Sequence, residues 1–477
     1  MGRKKQLLWG ILLGGWLWLL FIQWLTPTIW GADGYFHIRL AEMMKHQGLL
    51  KTLPQAQLSY FNDRFSDKDW LYHLLLIPFT LGRSIFVGAK WAAWFGDGWL
   101  YSSLIIVSSF YTPWQFWPVS GALFFASDHF LRTISEPRPM ILALGLGLWL
   151  VHWLIQKKGK LLFWGSFIYG WLHITAPLVL IYGLIMKRWK LILAAGLGLL
   201  LSMLIYPNFP NNWFYFYLNG ILVPWFAVRW RVLELGAEFF PLSWQQYLSS
   251  YFIIPAGLAV MLIINVWQKP KTSRNTQIWF LISAIFLIMG IKSQRYLAHG
   301  YPFFILSLTT FLGDLRKKVR RWNDGMILLG IVVIFLLLGK SLQQMVLRGK
   351  SERFVNTHYE QMGSWLKDNL PKGELIFTAN WSDPQYFIGI NPNNNYFVAM
   401  DPVYMWHKDK NLYQQYRMVA LGQDKDPYTT LKNVFKINYG YAGKLYFWAL
   451  VGQVKKDNRF EVMQEDQLGI IFRLKEI

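Results

Sequence analysis

The stretch Asp33-Gly34-Tyr35-Phe36-His37-Ile38-Arg39 follows the first apolar segment and brings an acid, an imidazole and a guanidinium together within seven residues. Ionisable side chains at membrane depth cost free energy and mark functional sites by default. Two interpretations are open at this point: a solvated interfacial loop, or one part of a functional site at a membrane face. The composition and the order of the other segments decide between them.

The composition is that of a polytopic α-helical membrane protein. Hydrophobic residues make up 54% of the 477 residues and charged residues only 16%, which is unlike a soluble protein. The net charge is +22. The basic residues lie largely in short loops between apolar runs, which is typical of orientation signals and contacts with anionic lipids, so we expect no nucleic-acid partner. Because the chain has no Cys, disulfides and thiolate metal sites are excluded.

The alternation of apolar runs and basic loops predicts about eleven transmembrane helices in residues 1–341, with the N-terminus in the cytoplasm. Residues 7–25 follow Arg3-Lys4-Lys5 without a cleavage-site pattern, which predicts an uncleaved signal-anchor. Residues 70–82 are too few to span comfortably, so we place them on the outer side. The later spans are predicted at 90–110, 116–131, 140–155, 161–186 (a hairpin of two short helices), 191–206, 251–266, 278–291, 296–312 and 326–338.

This topology predicts four outer-face loops, at residues 28–89, 132–139, 207–249 and 292–295. Within the first, the amphipathic pattern of residues 35–50 predicts a helix lying along the membrane surface. Every strong basic loop falls in the cytoplasm except the one that holds Lys292 and Arg295. That exception indicates a use other than orientation.

From Leu342 onward the composition becomes that of a soluble domain. Residues 352–370 are predicted to form a helix, and 375–379, 396–400 and 470–474 to form short strands between Asn, Pro and Gly turns. About 135 residues can build a core of their own. We therefore predict a C-terminal soluble α/β domain, residues 342–477, on the extracytoplasmic side.

The predicted outer face collects acids and bases from three separate loops: Asp33, His37 and Arg39; Glu136 and Arg138; and Lys292, Arg295 and His299. Arg and Lys bind phosphate through charge-assisted hydrogen bonds, and a carboxylate can take a proton or hold a divalent cation. Alternatives remain for several residues. Glu136 lies between Arg132 and Arg138 and could serve only a loop ion pair, and Lys292 and Arg295 could reach lipid headgroups. We expect His73 to be packed or interfacial.

Several short motifs resemble those of one enzyme family. Asp33 followed by aromatic-aromatic-His-x-Arg resembles the first-loop motif of oligosaccharyltransferase catalytic subunits and their relatives, which are GT-C-type glycosyltransferases using polyprenyl-phosphate-linked sugars. Residues 132–139 resemble the second outer loop of that superfamily. Gln294-Arg295-Tyr296 with Pro302 resembles the late loop whose Arg meets the lipid phosphate, and residues 379–384 with 399–402 are similar to the outer domain of bacterial members.

The resemblance implies a GT-C-like enzyme of the plasma membrane. It would move a sugar or oligosaccharide from a polyprenyl-phosphate or diphosphate carrier to a glycan, lipid or protein acceptor on the outer face, among membrane lipids. Asp33 would be the catalytic or metal-holding acid and Glu136 the second acid, with Mg²⁺ or Mn²⁺ as the candidate cation. The donor phosphate would meet Arg295, Lys292 and Arg138, and the supporting residues would be His37, Arg39 and His299.

Two departures from the family pattern affect the expected acceptor. The second loop has the single Glu136 in place of an Asp-x-Asp pair, and the outer domain has no Trp-Trp-Asp. We therefore expect an acceptor other than the asparagine sequon. Two alternatives remain: a transporter or flippase of lipid-linked saccharides, for which internal repeats would be expected, and a non-catalytic relative that binds glycan.

Overall fold

The computed structural model describes residues 2–227, 233–268, 272–318 and 324–476. The basic residues Lys269, Lys271, Arg320 and Arg321, which belong to predicted cytoplasmic loops, lie outside the described residues. The chain is mostly helical, with one small sheet near its C-terminus. This agrees with the predicted class.

In chain order the helices are α1 (Gly2–Gln23), α2 (Asp33–Gln47), α3 (Trp70–Leu76), α4 (Ile85–Tyr111), α5 (Trp117–Phe124), α6 (Asp128–Ser135), α7 (Pro139–Ile155), α8 (Gly159–Leu172), α9 (Leu178–Ile185), α10 (Trp189–Leu204), α11 (Asn211–Phe216), α12 (Trp244–Tyr251), α13 (Ile253–Gln268), α14 (Arg274–Lys292), α15 (Arg295–Lys318), α16 (Asp324–Asn369), α17 (Asp383–Ile390), α18 (Val403–Lys408), α19 (Lys410–Ala420), α20 (Pro427–Thr429) and α21 (Trp448–Lys456). Two π-helical segments, Tyr217–Ala227 and Thr430–Val434, follow α11 and α20.

The sheet has five strands: β1 (Leu375–Thr378), β2 (Asn395–Tyr396), β3 (Tyr439–Gly443), β4 (Phe460–Glu465) and β5 (Gly469–Leu474). Their order is β2-β1-β3-β5-β4. Strand β1 runs parallel to β2 and β3, whereas β5 runs antiparallel to β3 and β4. The strands predicted at 375–379 and 470–474 are present. The strand predicted at 396–400 is reduced to the two residues of β2. Strands β3 and β4 were not predicted.

The chain divides into two compact units, each discontinuous in sequence. Unit 1 combines Met1–Leu25, Lys90–Tyr206 and Gly236–Gly349, and unit 2 combines Thr26–Ala89, Pro207–Leu235 and Lys350–Ile477. Two segments that we predicted as outer-face loops therefore fold with the C-terminal segment. The division into a membrane domain 1–341 and an extracytoplasmic domain 342–477 stays a prediction.

Unit 1 is built from closely packed apolar helices. Helix α14 packs against α15, and α8 packs against α10. The second contact explains Gly198, because a Cβ at that position would lie 2.2 Å from the carbonyl oxygen of Phe163. The two short helices predicted in residues 161–186 are present as α8 and α9, with His173 and Pro177 at the break, but each packs against α7 and α10 rather than the two forming a hairpin.

Unit 2 surrounds the sheet. The backbone of residues 55–58 continues the sheet beside β2, since Tyr396 N donates to Gln55 O at 2.8 Å and Gln57 N donates to Tyr396 O at 2.8 Å. Residues far apart in sequence are thus joined by main-chain hydrogen bonds, and the segment 26–89 folds as part of this unit. Helix α2 packs against α17.

Three helices of the described chain are long and apolar enough to cross a membrane: Gly2–Gln23, Arg274–Lys292 and Leu328–Asn369. The pair α6 and α7, bent by 113°, adds a fourth if it forms one broken span. The apolar residues at 70–82 form only the short α3 and a 3-10 turn, Ile77–Thr80. The count of about eleven spans stays a prediction.

Three predicted boundaries were wrong. The span at 116–131 is interrupted after Phe124, because Ser127 Oγ accepts a hydrogen bond from Phe130 N and caps a new helix. The described part of the loop at 207–249 is largely helical. Aromatic residues of its first part pack in unit 2, where Tyr215, for example, stacks on Phe61 at 5.4 Å. The helices predicted at 326–338 and 352–370 are one continuous α16, since no proline separates them.

Candidate functional site

Asp33 is the first residue of α2, where a carboxylate interacts favourably with the helix dipole. Gly31 precedes it with a φ of 72°, and its backbone N–H donates to Glu352 Oε2 at 3.1 Å. Asn356 Nδ2 donates to the carbonyl of Ile29 at 2.6 Å. The segment leading to Asp33 is therefore held by side chains of α16.

Helix α2 is fixed further by contacts along its length. Tyr35 is fully buried and its hydroxyl donates to Glu360 Oε1 at 2.6 Å. A Cβ at Gly389 of α17 would lie 2.7 Å from Tyr35 Cβ and 2.8 Å from its carbonyl oxygen, so only glycine permits this approach. Most residues from Gly34 to Ala41 are buried. The surface-lying amphipathic helix predicted here is instead packed within unit 2.

Arg39 was predicted as a supporting site residue. Its Nε donates to the carbonyl of Gly389 at 2.8 Å, and its guanidinium pairs with Glu42 one turn further along α2. A cation that bonds a carbonyl near a helix C-terminus satisfies an orphan acceptor and complements the dipole. These contacts give Arg39 a structural task in joining α2 to α17.

His37 belongs to a buried chain of three titratable side chains. His37 Nδ1 lies 2.7 Å from His73 Nε2, and His73 Nδ1 lies 2.6 Å from Asp67 Oδ2. The two imidazoles are each 2% exposed and Asp67 is 4% exposed. Asp67 is held in turn by the backbone N–H of Asp69, which donates to Oδ1 at 3.0 Å. We call this chain the His37–His73–Asp67 relay.

The hydrogen bonds of the relay fit one set of neutral imidazole tautomers. When Asp67 accepts from His73 Nδ1–H, the neutral ring of His73 has Nε2 as an acceptor, and His37 Nδ1–H then donates to it. The relay therefore places exchangeable protons on α2, one helical turn after Asp33.

Glu136 follows α6 in unit 1, and its two carboxylate oxygens contact two guanidinium groups. Oε1 pairs with Arg132 and Oε2 pairs with Arg138, and the acid is only 4% exposed. The ion pair weighed as an alternative from sequence is therefore present. The role of Glu136 as a second acid and of Arg138 as a phosphate contact stays a prediction.

The end of α6 is anchored by a buried polar contact that sequence reasoning missed. Gln23 Nε2 donates to Asp97 Oδ2 at 2.9 Å and to the carbonyl of Ser135 at 3.0 Å. Asp97, fully buried in α4, thereby helps to position Glu136. The signal was present in the sequence, since a carboxylate inside the apolar run 90–110 is itself a reason to expect a function.

Arg295 begins α15, and the short turn Ala237–Phe239 holds the residues before it. Ser293 Oγ donates to the carbonyl of Glu238 at 2.7 Å, and Gln294 Nε2 donates to the carbonyl of Ala237 at 2.6 Å. The Arg295 guanidinium lies 5.0 Å from the ring centre of Phe239. Its side chain is partly exposed, so it is restrained by a cation–π contact while its N–H groups can still reach an anion.

The other two predicted residues of this loop differ in exposure. Lys292 ends α14 with an exposed side chain, in keeping with either predicted use. His299 is buried, and its Nδ1 donates to the carbonyl of Arg295 one turn earlier in α15 at 3.0 Å. His299 can therefore support the first turn of the helix that carries Arg295, although its burial keeps it from solvent.

The predicted metal role concerns the carboxylates of Asp33 and Glu136. Both oxygens of Glu136 already face guanidinium groups, which oppose the approach of a cation. Across the described ranges, no three His, Asp or Glu side chains are grouped so that they could hold a metal ion. The Mg²⁺ or Mn²⁺ role predicted for Asp33 and Glu136 stays a prediction.

The predicted site residues belong to both compact units. Asp33, His37 and Arg39 belong to unit 2, whereas Glu136, Arg138, Lys292, Arg295 and His299 belong to unit 1. Sequence reasoning missed His73 and Asp67 as partners of His37, because nothing in their spacing indicates a contact. No pattern in the sequence predicted that the turn Ala237–Phe239 holds the residues before Arg295.

Comparisons with known proteins were made at the levels of sequence and structure. No family model and no curated protein matches the sequence. Among solved structures, the apo oligosaccharyltransferase of Archaeoglobus fulgidus has a TM-score of 0.63 and 10% identity, covering 91% of this chain and 69% of that one. ArnT from Cupriavidus metallidurans bound to undecaprenyl phosphate has a TM-score of 0.57 and 12% identity, covering 98% and 97%.

A third structure, of AglB from Archaeoglobus fulgidus with an inhibitory peptide and a dolichol-phosphate, has a TM-score of 0.62 and 10% identity, covering 96% of this chain and 72% of that one. Identities this low establish the fold only. These membrane-protein neighbours, together with the apolar helices, also support the predicted membrane location. The resemblance indicated by the short motifs is confirmed at that level: the chain shares the fold of the Archaeoglobus fulgidus oligosaccharyltransferase and of ArnT.

Proposed function

We propose that the protein transfers a sugar or oligosaccharide from a polyprenyl-phosphate or diphosphate carrier to an acceptor on the outer face of the plasma membrane. The N-terminus would be cytoplasmic and the C-terminal domain extracytoplasmic. The observation that carries the proposal is the fold likeness over 98% of the chain to ArnT with bound undecaprenyl phosphate. The position of Asp33, held at the start of α2 beside the relay, supports it.

In this proposal Asp33 accepts the proton that an acceptor hydroxyl or amine loses as it attacks the anomeric carbon. The bond between the anomeric carbon and the phosphate oxygen breaks with inversion, and its electron pair leaves with the phosphate. Arg295, with Lys292 and Arg138, stabilises the negative charge that develops there. His37 lies one turn after Asp33 on the same helix and can hold a proton near it.

Two substitutions test these roles in the purified full-length protein, with an undecaprenyl-phosphate-linked sugar as the donor. Asp33→Asn and Arg295→Ala are each expected to abolish transfer while the thermal midpoint stays unchanged. The matched controls are Asp368→Asn, an exposed acid of α16, and Arg274→Ala, an exposed base at the opposite end of α14. Full transfer by both site variants would refute the assignment.

The same preparation separates an enzyme from a transporter. Reconstituted into vesicles, an enzyme forms a new glycosidic bond that mass spectrometry detects on the acceptor. A flippase moves the lipid-linked sugar across the bilayer and leaves its bond intact. Movement without bond formation would replace the proposed function by transport.

A further inference from the structure

A cavity in unit 2 lies between α16 and the turn joining β4 to β5. Its volume is about 510 Å³, which is within the range of small-ligand sites. One wall is formed by α16 residues spaced three or four apart, so that they share a helix face. They are Lys350, Arg353, Phe354, Thr357 and Gln361. None of these side chains has a role in the proposed transfer reaction.

The acids at this cavity, including Asp466 in its lining, already have partners within the protein. Asp466 Oδ2 bonds His358 Nδ1, and its Oδ1 accepts from the backbone N–H groups of Leu468 and Gly469 at 2.8 and 3.0 Å. Glu465 pairs with both Lys444 and Lys455 at 2.6 Å. The carboxylates on this side of the turn are therefore engaged by groups of the protein itself.

The lysine and arginine side chains of the cavity, unlike these acids, have no partner of opposite charge among the described residues. Lys350 and Arg353 are exposed, and within the described part of the chain no carboxylate pairs with either. Two unneutralised cations at the mouth of a polar cavity favour an anionic ligand, and the planar guanidinium of Arg353 suits a phosphate. The amide of Gln361 and the hydroxyl of Thr357 supply further hydrogen-bonding groups.

A second feature borders the same turn. The backbone N–H of Lys444 donates to the carbonyl of Leu468 at 2.8 Å, and the residues that follow Lys444 project large apolar groups into solvent. Leu445, Tyr446 and Trp448 are 72%, 75% and 72% exposed. Exposed aromatic and aliphatic groups beside cations are typical of surfaces that enter the membrane–water interface.

The sequence of α16 indicates where such an interface would lie. The candidate span begins at Leu328, and the ~20 helical residues that cross a bilayer core end near Leu347, three positions before Lys350, with Lys340 as the one ionisable residue among them. Phe354, one turn further, is 52% exposed. Basic residues immediately after a spanning helix lie at the depth of lipid headgroups.

We propose that the cavity binds the phosphate headgroup of an anionic phospholipid, with Leu445, Tyr446 and Trp448 seated in the bilayer interface beside it. Lys350 and Arg353 hold the phosphate, and Gln361 and Thr357 bond the polar groups attached to it. The apolar loop explains why the ligand is a lipid: a soluble anion would leave these side chains in water.

The absence of Cys from the chain makes a direct test possible, because Leu445→Cys carries a unique label. The full-length protein, labelled there with an environment-sensitive fluorophore in neutral detergent, is titrated with short-chain phosphatidylglycerol. We expect a saturable blue shift that short-chain phosphatidylcholine does not produce. Each cation near an anionic lipid contributes about a five-fold preference, so Lys350→Gln with Arg353→Gln should weaken binding about 30-fold.

The matched control replaces two exposed lysines further along the chain, Lys367→Gln with Lys372→Gln, and should leave binding unchanged. Inorganic phosphate distinguishes the two sources of a phosphate group. If phosphate alone competes fully at the concentration of the lipid, the site takes a soluble anion and the proposal is wrong. Equal responses to the two lipids, or unchanged binding by the cavity variant, would also overturn it.

Discussion

Because the carboxyl of Asp383 is buried, we predict that the stability of the protein depends on pH and that one substitution at this position removes the dependence. Asp383 is the first residue of α17 and is 2% exposed. Its Oδ1 accepts a hydrogen bond from the Tyr359 hydroxyl at 2.7 Å, whereas Oδ2 is buried without a partner among the described residues. Burial raises the pKa of Asp383 from 3.8 to about 7, although the bond from Tyr359 opposes the rise.

The sign and size of the effect follow from this pKa. The folded protein holds the proton more tightly than the unfolded chain, so the contribution to stability is complete below pH 3.8 and is lost as the pH rises toward 7. A difference of about three in pKa corresponds to about 4 kcal/mol in all. Between pH 5 and pH 8 the expected loss from this one group is about 2.5 kcal/mol.

Asp383→Asn keeps an acceptor for Tyr359 but cannot ionise. We expect the variant to match the native protein only below about pH 3.8, and its advantage in stability to grow by about 2.5 kcal/mol between pH 5 and pH 8, measured by denaturant unfolding of the full chain in detergent. Asp368→Asn, at an exposed position of α16, should show no such gain. Infrared spectroscopy gives an independent check, since a protonated carboxyl band near neutral pH should disappear in Asp383→Asn. If the native protein shows no protonated-carboxyl band from Asp383 at pH 5 to 6, the reasoning is refuted.

Three further predictions concern the candidate site. Glu136→Gln should lower the thermal midpoint by an amount equivalent to 3–5 kcal/mol, because two guanidinium groups lose their carboxylate; lost transfer with an unchanged midpoint would instead identify a purely chemical role. Gly389→Ala should destabilise the chain by about 1–3 kcal/mol through its clash with Tyr35, whereas Gly452→Ala, which meets nothing within 4 Å, should be neutral or stabilising by up to about 1 kcal/mol in unfolding assays. On the proposed function, His73→Asn should lower kcat on the order of 100-fold with little change in KM, and an unchanged kcat with altered stability would leave the relay a structural feature.

The parts of the fold that could be predicted from sequence are those specified by local signals. Pro177 with His173 marks the break between α8 and α9, because proline cannot continue the first helix. The runs at 375–379 and 470–474 are short, rich in β-branched and aromatic residues and bounded by turns, so they were found. The same signals misled at residues 338–352, where two separate helices were predicted but α16 continues from one to the other.

The parts that could not be predicted depend on contacts between distant residues. His37 and His73 are 36 positions apart, and no pattern in the sequence indicates that their side chains form a hydrogen bond. The strand-like pairing of Gln55 and Gln57 with Tyr396 crosses more than three hundred residues and draws the segment 26–89 into unit 2. The motif around Asp33 could be recognised because its residues are adjacent in sequence. The distant side chains that hold Asp33 in position could not be predicted from it.

Those distant contacts change how the C-terminal segment should be understood. From sequence it is a soluble domain added after the last span, so that its removal would leave Asp33 in place. Yet the loop and helix that carry Asp33 are held by Glu352, Asn356 and Glu360 of α16 and by the close approach of Gly389 to Tyr35. All of these partners lie after residue 349. A chain ending there would retain Arg295 and Glu136 but lose every one of these restraints on α2, and the predicted catalytic acid would no longer have a defined position. The C-terminal segment is therefore a structural part of the candidate site.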